Sequence, residues 1–450
     1  MRRNKRILIA ILFLAQWAMA FGQERLTLDS CLAAARQHNC TIKSAQLDVL
    51  ISREVKKQML WKYFPQVDLN GFAFGAASPL VDVDVTQMAS AGLGGVLSDV
   101  LEIINALDST RHVSSEVKWI RWGASAQARA VQPVYWGGQI VTANKLAKLG
   151  IDAAQLKQEV SERDVLQEVT ETYWLVAGLM EKRATVTKVR SLLDTVNDIA
   201  QTAFVHGLVT GNDLLKVRLK QNEIETNALK LENGIHLAGR MLCHLIGAEY
   251  TGELLLDSFP ANGDMVALLE RPDTFYVEAR PEVKLLDANV RYHQLMRRLT
   301  LGESLPHLAI GVSGGYSNFF ERNRFNGIAF ATLTIPLTQW GETSHKLRAH
   351  DYQIKQAELM RQDLHLKLTL QNRQIYSQLT EAIRLMEQHL SSCELARDNY
   401  QLSLMNYQAG VGTMSELLES ESLLLQAENA YTDARISYLS ALRKFNDYNK

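Results

Sequence analysis

Breaks in regular structure are scarce in this chain, whose 450 residues include only 8 prolines and 26 glycines. That shortage favours long helices over the loop-rich architecture of many enzymes, and we expect no enzyme. A net charge of one sign is lacking too, because 48 lysines and arginines balance 49 aspartates and glutamates. Without a net field to attract polyanions, we expect no nucleic-acid partner.

Closely spaced cysteines are also absent, since Cys31, Cys40, Cys243 and Cys393 form no C-x-x-C pair. Each lies on a predicted helix among apolar neighbours, so we expect buried free thiols, with pairing in an oxidising compartment as the alternative. The 11 histidines are scattered and match no H-E-x-x-H motif. We therefore expect neither a metal site nor a cofactor.

Long apolar runs are confined to the N-terminus. Basic residues among the first six precede an apolar run from Ile7 to Ala20, which ends in Ala18-Met19-Ala20. This order predicts a secretory signal peptide over residues 1–22, with an approximate cleavage site. No later segment has 18 consecutive apolar residues. A mature chain that entered a membrane would therefore do so as a β-barrel.

One turn motif occurs twice, at a constant offset of 203 residues. Each copy contains an aromatic residue, a glycine, a threonine, an acid and a leucine pair: Phe204, Gly207, Thr210, Asp213, Leu214 and Leu215, then Tyr407, Gly410, Thr413, Glu416, Leu417 and Leu418. Glycine closes a helix in the left-handed conformation, and threonine with an acid three residues later forms a capping box. The motif predicts two helix-turn-helix tips.

Apolar residues at coiled-coil spacing precede both tips. Steps of three and four residues connect the members of each seam: Val186, Val189, Leu193, Val196, Ala200 and Ala203, then Ile375, Leu379, Ala382, Met386, His389, Cys393, Ala396 and Tyr400. The 68 residues between Gly341 and Gly410 contain neither glycine nor proline, which allows on the order of 100 Å of helix. Such narrow seams predict antiparallel pairs of long helices.

Segments of period two lie between the helical segments, and they predict four strands, at about residues 66–76, 124–134, 307–317 and 325–336. In the second strand, alanines at alternate positions from Ala124 to Ala130 form one face, while Ser125, Gln127 and Arg129 form the other. This pattern matches a tilted membrane-barrel strand of about 9–11 residues. An ordinary half-buried strand is the alternative.

The same order of helix, strands, long helix, tip and returning helix therefore occurs twice. We expect a first repeat at 23–247, with an insertion at 78–118 that holds a short helix over Leu93–Leu107, a linker at 248–279, and a second repeat at 280–450. Four strands cannot close a barrel, and unpaired strand edges are prohibitive in lipid. The expected fold is mainly α with membrane β: an internally duplicated α-barrel of coiled-coil helices, and four strands per chain in a trimeric β-barrel.

The chain closely resembles the TolC-like outer-membrane efflux proteins from Leu26 onwards. The resemblance is carried by four motifs: Ala409-Gly-Val-Gly-Thr413 with Glu416-Leu-Leu418, Ala434-Arg435-x-x-Tyr438-Leu439, Pro65-Gln-Val-Asp-Leu and Pro133-x-x-x-Gly-Gly138. The chain departs from the family at Trp340-Gly341, where Gly-Gly is usual, and in the insertion. The resemblance implies a homotrimeric exit duct in the outer membrane of a Gram-negative-type cell, surrounded by lipid and extended into the periplasm. It would serve a periplasmic adaptor and an inner-membrane pump, in efflux or in type I protein secretion.

The resemblance also implies roles for the tips. The residues implied to dock the adaptor are those of the two turns: Gly207, Leu208, Val209, Thr210, Gly410, Val411, Gly412 and Thr413. The residues implied to form a periplasmic gate are Glu416 and Glu419, with Tyr407 packing against the closed tips to stabilise them. The two acids share one helix face, and threefold symmetry would make them a ring that favours cations. The alternatives are that Glu416 only caps the helix, that Glu419 lies on a solvated helix face and that Tyr407 packs in the apolar seam.

Two rival functions compete with the duct. A periplasmic coiled-coil scaffold or adaptor would use the long helices without a channel, but adaptors have one hairpin and no strands between their long helices. A hydrolase is suggested only by Gly311-Val-Ser313-Gly-Gly315, which matches G-x-S-x-G. That motif requires a strand turning sharply into a helix, whereas Ser313 lies inside a predicted strand.

Overall fold

The computed structural model describes residues 26–78, 81–84, 116–119, 122–207, 209–252, 254–257, 259, 277–319 and 322–448. The predicted signal peptide, the predicted helix of the insertion and most of the predicted linker lie outside these residues. Within them, no helix combines the length and the hydropathy needed to cross a bilayer.

The described part of the chain is mostly helical, as expected. Its helices are α1 Leu28–His38, α2 Cys40–Trp61, α3 Gln139–Val205, α4 Gly211–Ile246, α5 Pro281–Glu303, α6 Trp340–Gln408 and α7 Met414–Tyr448. Two of them are very long, with 67 residues in α3 and 69 in α6. The rarity of glycine and proline makes such lengths possible, because little in either sequence interrupts the helical hydrogen bonds.

The strands are β1 Gln66–Gly75, β2 Val81–Asp84, β3 Glu116–Trp119, β4 Trp122–Trp136, β5 His307–Phe319 and β6 Arg322–Thr334. An antiparallel sheet has the order β1-β4-β5-β6, and β2 pairs with β3 in a separate two-stranded sheet. The first and second halves of the chain thus meet where β4 pairs with β5. β1 and β6 are the edge strands of the four-stranded sheet among the described residues.

The strand register places small and apolar residues in continuous rows on one face of the sheet. One row is Leu69, Ala128, Gly314 and Gly327; the next are Val67, Ala130, Val312 and Ala329, and Gly71, Ala126, Tyr316 and Phe325. Several of these side chains are exposed, including Leu69 at 78% and Phe325 at 84%. The alternation expected for the second strand is therefore present across all four.

The opposite face of the sheet is largely polar. Its rows are Asn70, Gln127, Gly315 and Asn326, then Asp68, Arg129, Ser313 and Ile328, then Phe72, Ser125, Ser317 and Arg324. Gln127 Nε2 donates to Ser313 Oγ at 2.9 Å, and the Arg129 guanidinium lies 5.1 Å from the centre of the Phe330 ring. The two faces thus differ sharply in polarity. A sheet of a soluble protein can also have one apolar and one polar face, but there the apolar face is buried.

The described chain divides into two compact units, each drawn from both halves of the sequence. One unit comprises residues up to Ser52, Gly150–Val290 and the chain from Gln356 onwards. The other comprises Arg53–Leu149 and Arg291–Lys355, and it contains the sheet. Each compact unit therefore combines equivalent parts of the two halves of the chain.

The helical unit is held by apolar seams at the predicted spacing. Leu193, Ala200 and Leu379 are at most 1% exposed, and Ile375, Met386 and Cys393 are buried beside them. Three predicted seam members are only half-buried: Ala203, His389 and Ala396. Full burial of a leucine contributes about 1.5–3 kcal/mol, so these seams account for much of the stability of the paired helices.

The described cysteines are free, and their burial follows the prediction with one exception. Cys31, Cys243 and Cys393 are buried, and burial raises the pKa of Cys31 to about 11. Cys40 is exposed, so the expectation of a buried thiol was wrong there. The reason is local: Asn39 caps α2 by accepting from the N–H groups of Thr41 and Ile42, and this leaves Cys40 on the outer side of the first turn.

Candidate functional site at the hairpin tips

The first tip joins α3 to α4 through a left-handed glycine and a capping box. Gly207 has φ +70°, and its N–H donates to the Phe204 carbonyl at 3.0 Å. Thr210 Oγ1 accepts from the Asp213 N–H at 3.3 Å, while Asp213 Oδ2 accepts from the Thr210 N–H at 3.2 Å. The Thr210 hydroxyl also donates to that carboxylate and lowers the pKa of Asp213. Leu208 lies outside the described residues.

The second tip joins α6 to α7 with the same two devices. Gly410 has φ +75°, and its N–H donates to the Tyr407 carbonyl at 3.0 Å. Thr413 Oγ1 accepts from the Glu416 N–H at 3.2 Å, and Glu416 Oε2 accepts from the Thr413 N–H at 2.8 Å. This backbone bond is the main cause that lowers the pKa of Glu416. The prediction of two capped helix-turn-helix tips is confirmed.

The residues predicted to dock a partner lie on the outer surface of these turns. Gly207, Thr210, Gly410 and Thr413 are exposed, Val209 and Gly412 are half-buried, and Val411 is 79% exposed. An apolar side chain that projects so far from a short turn is available for contact with another protein. The docking role of these residues stays a prediction.

The three predicted gate residues have different surroundings. Glu416 and Glu419 are exposed on the first turns of α7, and the carboxylate of Glu416 is already engaged in the cap. Tyr407 is half-buried against a cluster that contains Val217, Tyr400 and Leu417, and burial raises its pKa. Tyr407 therefore packs in the seam, which was the alternative interpretation. The gating role of all three stays a prediction.

Sequence reasoning missed a set of contacts that joins the two hairpins behind the tips. Lys216 Nζ donates to Ser415 Oγ at 2.7 Å, and Lys220 Nζ donates to Ser422 Oγ at 2.6 Å. The lysines are one helical turn apart on α4, and the serines are seven residues apart on α7. Helical spacing alone could have shown that the two lysines share one face of α4 and that the two serines share one face of α7. Only the fold shows that the two faces meet.

Other sites considered from the sequence have no catalytic geometry in the described residues. Ser313 lies in the middle of β5 rather than at a strand-to-helix turn. No group of three or more histidine, cysteine, aspartate or glutamate side chains in the described ranges is arranged to hold a metal ion. The hairpin tips and the two-faced sheet are therefore the features that a function has to explain.

Comparison with known proteins gives the same fold. Residues 278–446 match the family model described as outer membrane efflux protein. A search of curated protein sequences gave no significant match. The resemblance to TolC-like outer-membrane efflux proteins is confirmed by this match together with the solved structures described next.

Three outer-membrane proteins of known structure are similar along nearly the whole chain. VceC of Vibrio cholerae is 13% identical with a TM-score of 0.71, covering 94% of this chain and 96% of its own. The CmeC channel of Campylobacter jejuni is 13% identical with a TM-score of 0.73, covering 94% and 85%. The open state of the MtrE channel of Neisseria gonorrhoeae is 13% identical with a TM-score of 0.73, covering 94% and 88%. At such identity the likeness establishes the fold.

Proposed function

Because residues 278–446 match the outer membrane efflux protein family, we propose that this protein is an efflux channel of the outer membrane. In the proposal, three copies form one exit duct, which passively conducts substrate delivered by an inner-membrane pump and a periplasmic adaptor. Efflux of small molecules and type I secretion of proteins both fit such a duct. The protein performs no chemistry on its cargo and requires no cofactor.

The observation that carries the proposal is the two-faced sheet. An exposed apolar face suits lipid, and a polar face with Gln127, Arg129 and Ser313 suits a water-filled lumen. Four strands leave β1 and β6 as open edges, and lipid does not tolerate unpaired backbone groups. Pairing of β6 in one copy with β1 in the next would give a closed barrel of twelve strands from three copies.

The long helices supply the second part of the proposed duct. At 1.5 Å per residue, the 69 residues of α6 correspond to on the order of 100 Å. A ring of such helices from three copies would form a tube that extends from the outer membrane into the periplasm. The tips would then form its inner end, where an adaptor docks on the exposed turns and where Glu416 and Glu419 line the entrance.

A matched pair of variants tests the lipid-facing assignment. Val312 and Ser313 are neighbours in β5 but belong to opposite faces of the sheet. A lysine on the lipid face near the bilayer centre costs about 2–4 kcal/mol per copy, whereas a lumen position tolerates it. We therefore expect V312K to abolish trimers in mild-detergent extracts of the outer membrane and S313K to keep them.

Planar-bilayer recordings on the purified protein test the channel itself. Wild type and S313K should both give discrete conductance steps, with altered ion selectivity in S313K because its charge lies in the lumen. The scaffold alternative predicts a monomer without conductance that stays in solution without detergent. Equal tolerance of lysine at both positions would also exclude a membrane role for the sheet.

A further inference from the structure

The interior of the helical unit contains a deeply buried carboxyl group that the proposed channel does not use. Glu421 lies on α7, two turns from the second tip, and is only 2% exposed. Neither of its carboxylate oxygens has a hydrogen-bond partner within the described chain. A buried carboxylate without donors is unfavourable, because burial removes the water that solvates its charge.

The nearest cation compensates this carboxylate only in part. Lys220 Nζ forms a long ion pair with Glu421 Oε2 at 3.7 Å, beyond hydrogen-bond distance. The same ammonium donates to Ser422 Oγ at 2.6 Å and pairs with Glu223 at 3.2 Å. Lys220 therefore keeps two good partners whether or not Glu421 is ionised.

One further neighbour also disfavours the charge of Glu421, while the remaining groups around it are uncharged. Glu223 of α4 adds a second negative charge nearby. The Tyr400 hydroxyl of α6 is buried without a hydrogen-bond partner in the described chain. Burial and the negative charge of Glu421 both raise the pKa of this hydroxyl. The third helix, α3, contributes apolar side chains to the adjoining clusters, among them Leu193 and Val196. Lys220, Glu223 and Tyr400 are thus the titratable groups that surround Glu421.

These contacts determine the sign of the pH effect. Burial is the largest cause that raises the pKa of Glu421, and Lys220 only partly opposes it. A group whose pKa is higher in the folded state stabilises that state most when protonated, and this contribution is lost as the pH rises through the folded pKa. The packed arrangement therefore favours the neutral carboxyl.

We propose that Glu421 makes the packing of the two helical hairpins, α3–α4 and α6–α7, depend on a proton. Glu421 belongs to α7 and its closest charged neighbours belong to α4, so the carboxyl lies at the contact between the hairpins. The contact is tightest when Glu421 is protonated, and it loosens when the carboxylate forms. The region directly behind the tips thereby becomes less stable at higher pH.

Hydrogen exchange of the full-length protein in detergent tests this inference without any measurement of transport. Rates are measured from about pH 5 to about pH 8 and corrected for the chemical exchange rate. In wild type, protection of segments 217–224 and 417–424 should fall with rising pH, by up to about tenfold per pH unit for one linked proton. In E421Q, which mimics the neutral carboxyl, the protection should no longer depend on pH.

Three comparisons make the result decisive. E387Q changes an exposed glutamate of α6 and should follow wild type. K220M removes the cation that lowers the pKa of the folded-state carboxyl, so its loss of protection should continue to a higher pH than in wild type. An infrared titration should show the carbonyl band of a protonated carboxyl in wild type that E421Q lacks. A pH dependence that persists in E421Q, an unchanged profile in K220M or the absence of that band would each overturn the inference, whether or not the protein conducts.

Discussion

The two tips share a backbone but differ in charge and in burial. Gly207 and Gly410 have nearly the same positive φ, +70° and +75°, and each is followed by a capping box. One turn into the returning helix the copies diverge: Lys216 of α4 is equivalent to Glu419 of α7 at the offset of 203 residues. Duplication has therefore kept the residues that the turn requires, while the side chains around it serve different surroundings.

Burial separates the copies as clearly as charge does. Leu417 is 1% exposed, whereas its equivalent Leu214 is half-buried. Lys216 lies 3.7 Å from Asp213 in the first copy, whereas both acids of the second copy are exposed without a lysine at the equivalent position. The second tip thus combines a tighter core with a more negative surface. This difference supports a gate at the second tip and leads to three predictions.

The largest loss of stability is expected from removing the buried leucine side chain at the second tip. L417A should destabilise the second tip by about 2–5 kcal/mol, since it leaves a cavity where the side chain was fully enclosed. L214A should cost clearly less, because its side chain is already partly in solvent. Local opening free energies from hydrogen exchange of each tip would measure both. Equal costs would show that the difference in burial has no energetic consequence.

A smaller loss of stability, equal at the two tips, is expected when the two left-handed glycines are replaced. G207A and G410A should each cost about 1–2 kcal/mol, because a Cβ strains this backbone conformation. Neither position has an atom within 4 Å of the added Cβ, so backbone strain is the whole cause at both. The same exchange measurement applies, with the single variants compared in one buffer. Unequal costs would contradict a shared turn geometry.

The smallest effect concerns ions rather than stability. Replacing Glu416 and Glu419 together by alanine should weaken block of the channel by multivalent cations several-fold, since a ring of acids attracts cations. D213N at the first tip removes an acid that already lies near Lys216, so its effect on block should be minor. Single-channel recordings with added multivalent cations distinguish the variants. Unchanged block in the double variant would show that these two acids are not part of the gate.

Much of this architecture was predictable because its determinants are local. The long helices follow from the scarcity of glycine and proline, and the tips follow from glycine, threonine and acid at fixed spacing. The alternation of Ala124–Ala130 with polar residues already indicated a two-faced strand. Cys40 was one failure, because its exposure depends on how Asn39 caps α2 rather than on apolar neighbours in the sequence.

The amino-acid sequence by itself determined the elements, the duplication and the capped turns, since each depends on residues within a few positions of one another. Only the tertiary structure decided which faces meet. It paired β4 with β5 across the two halves, placed Lys216 and Lys220 against α7, and enclosed Glu421 away from water. Those outcomes depend on contacts between residues about 170 to 200 positions apart, for which the periodicity of one helix or strand contains no information.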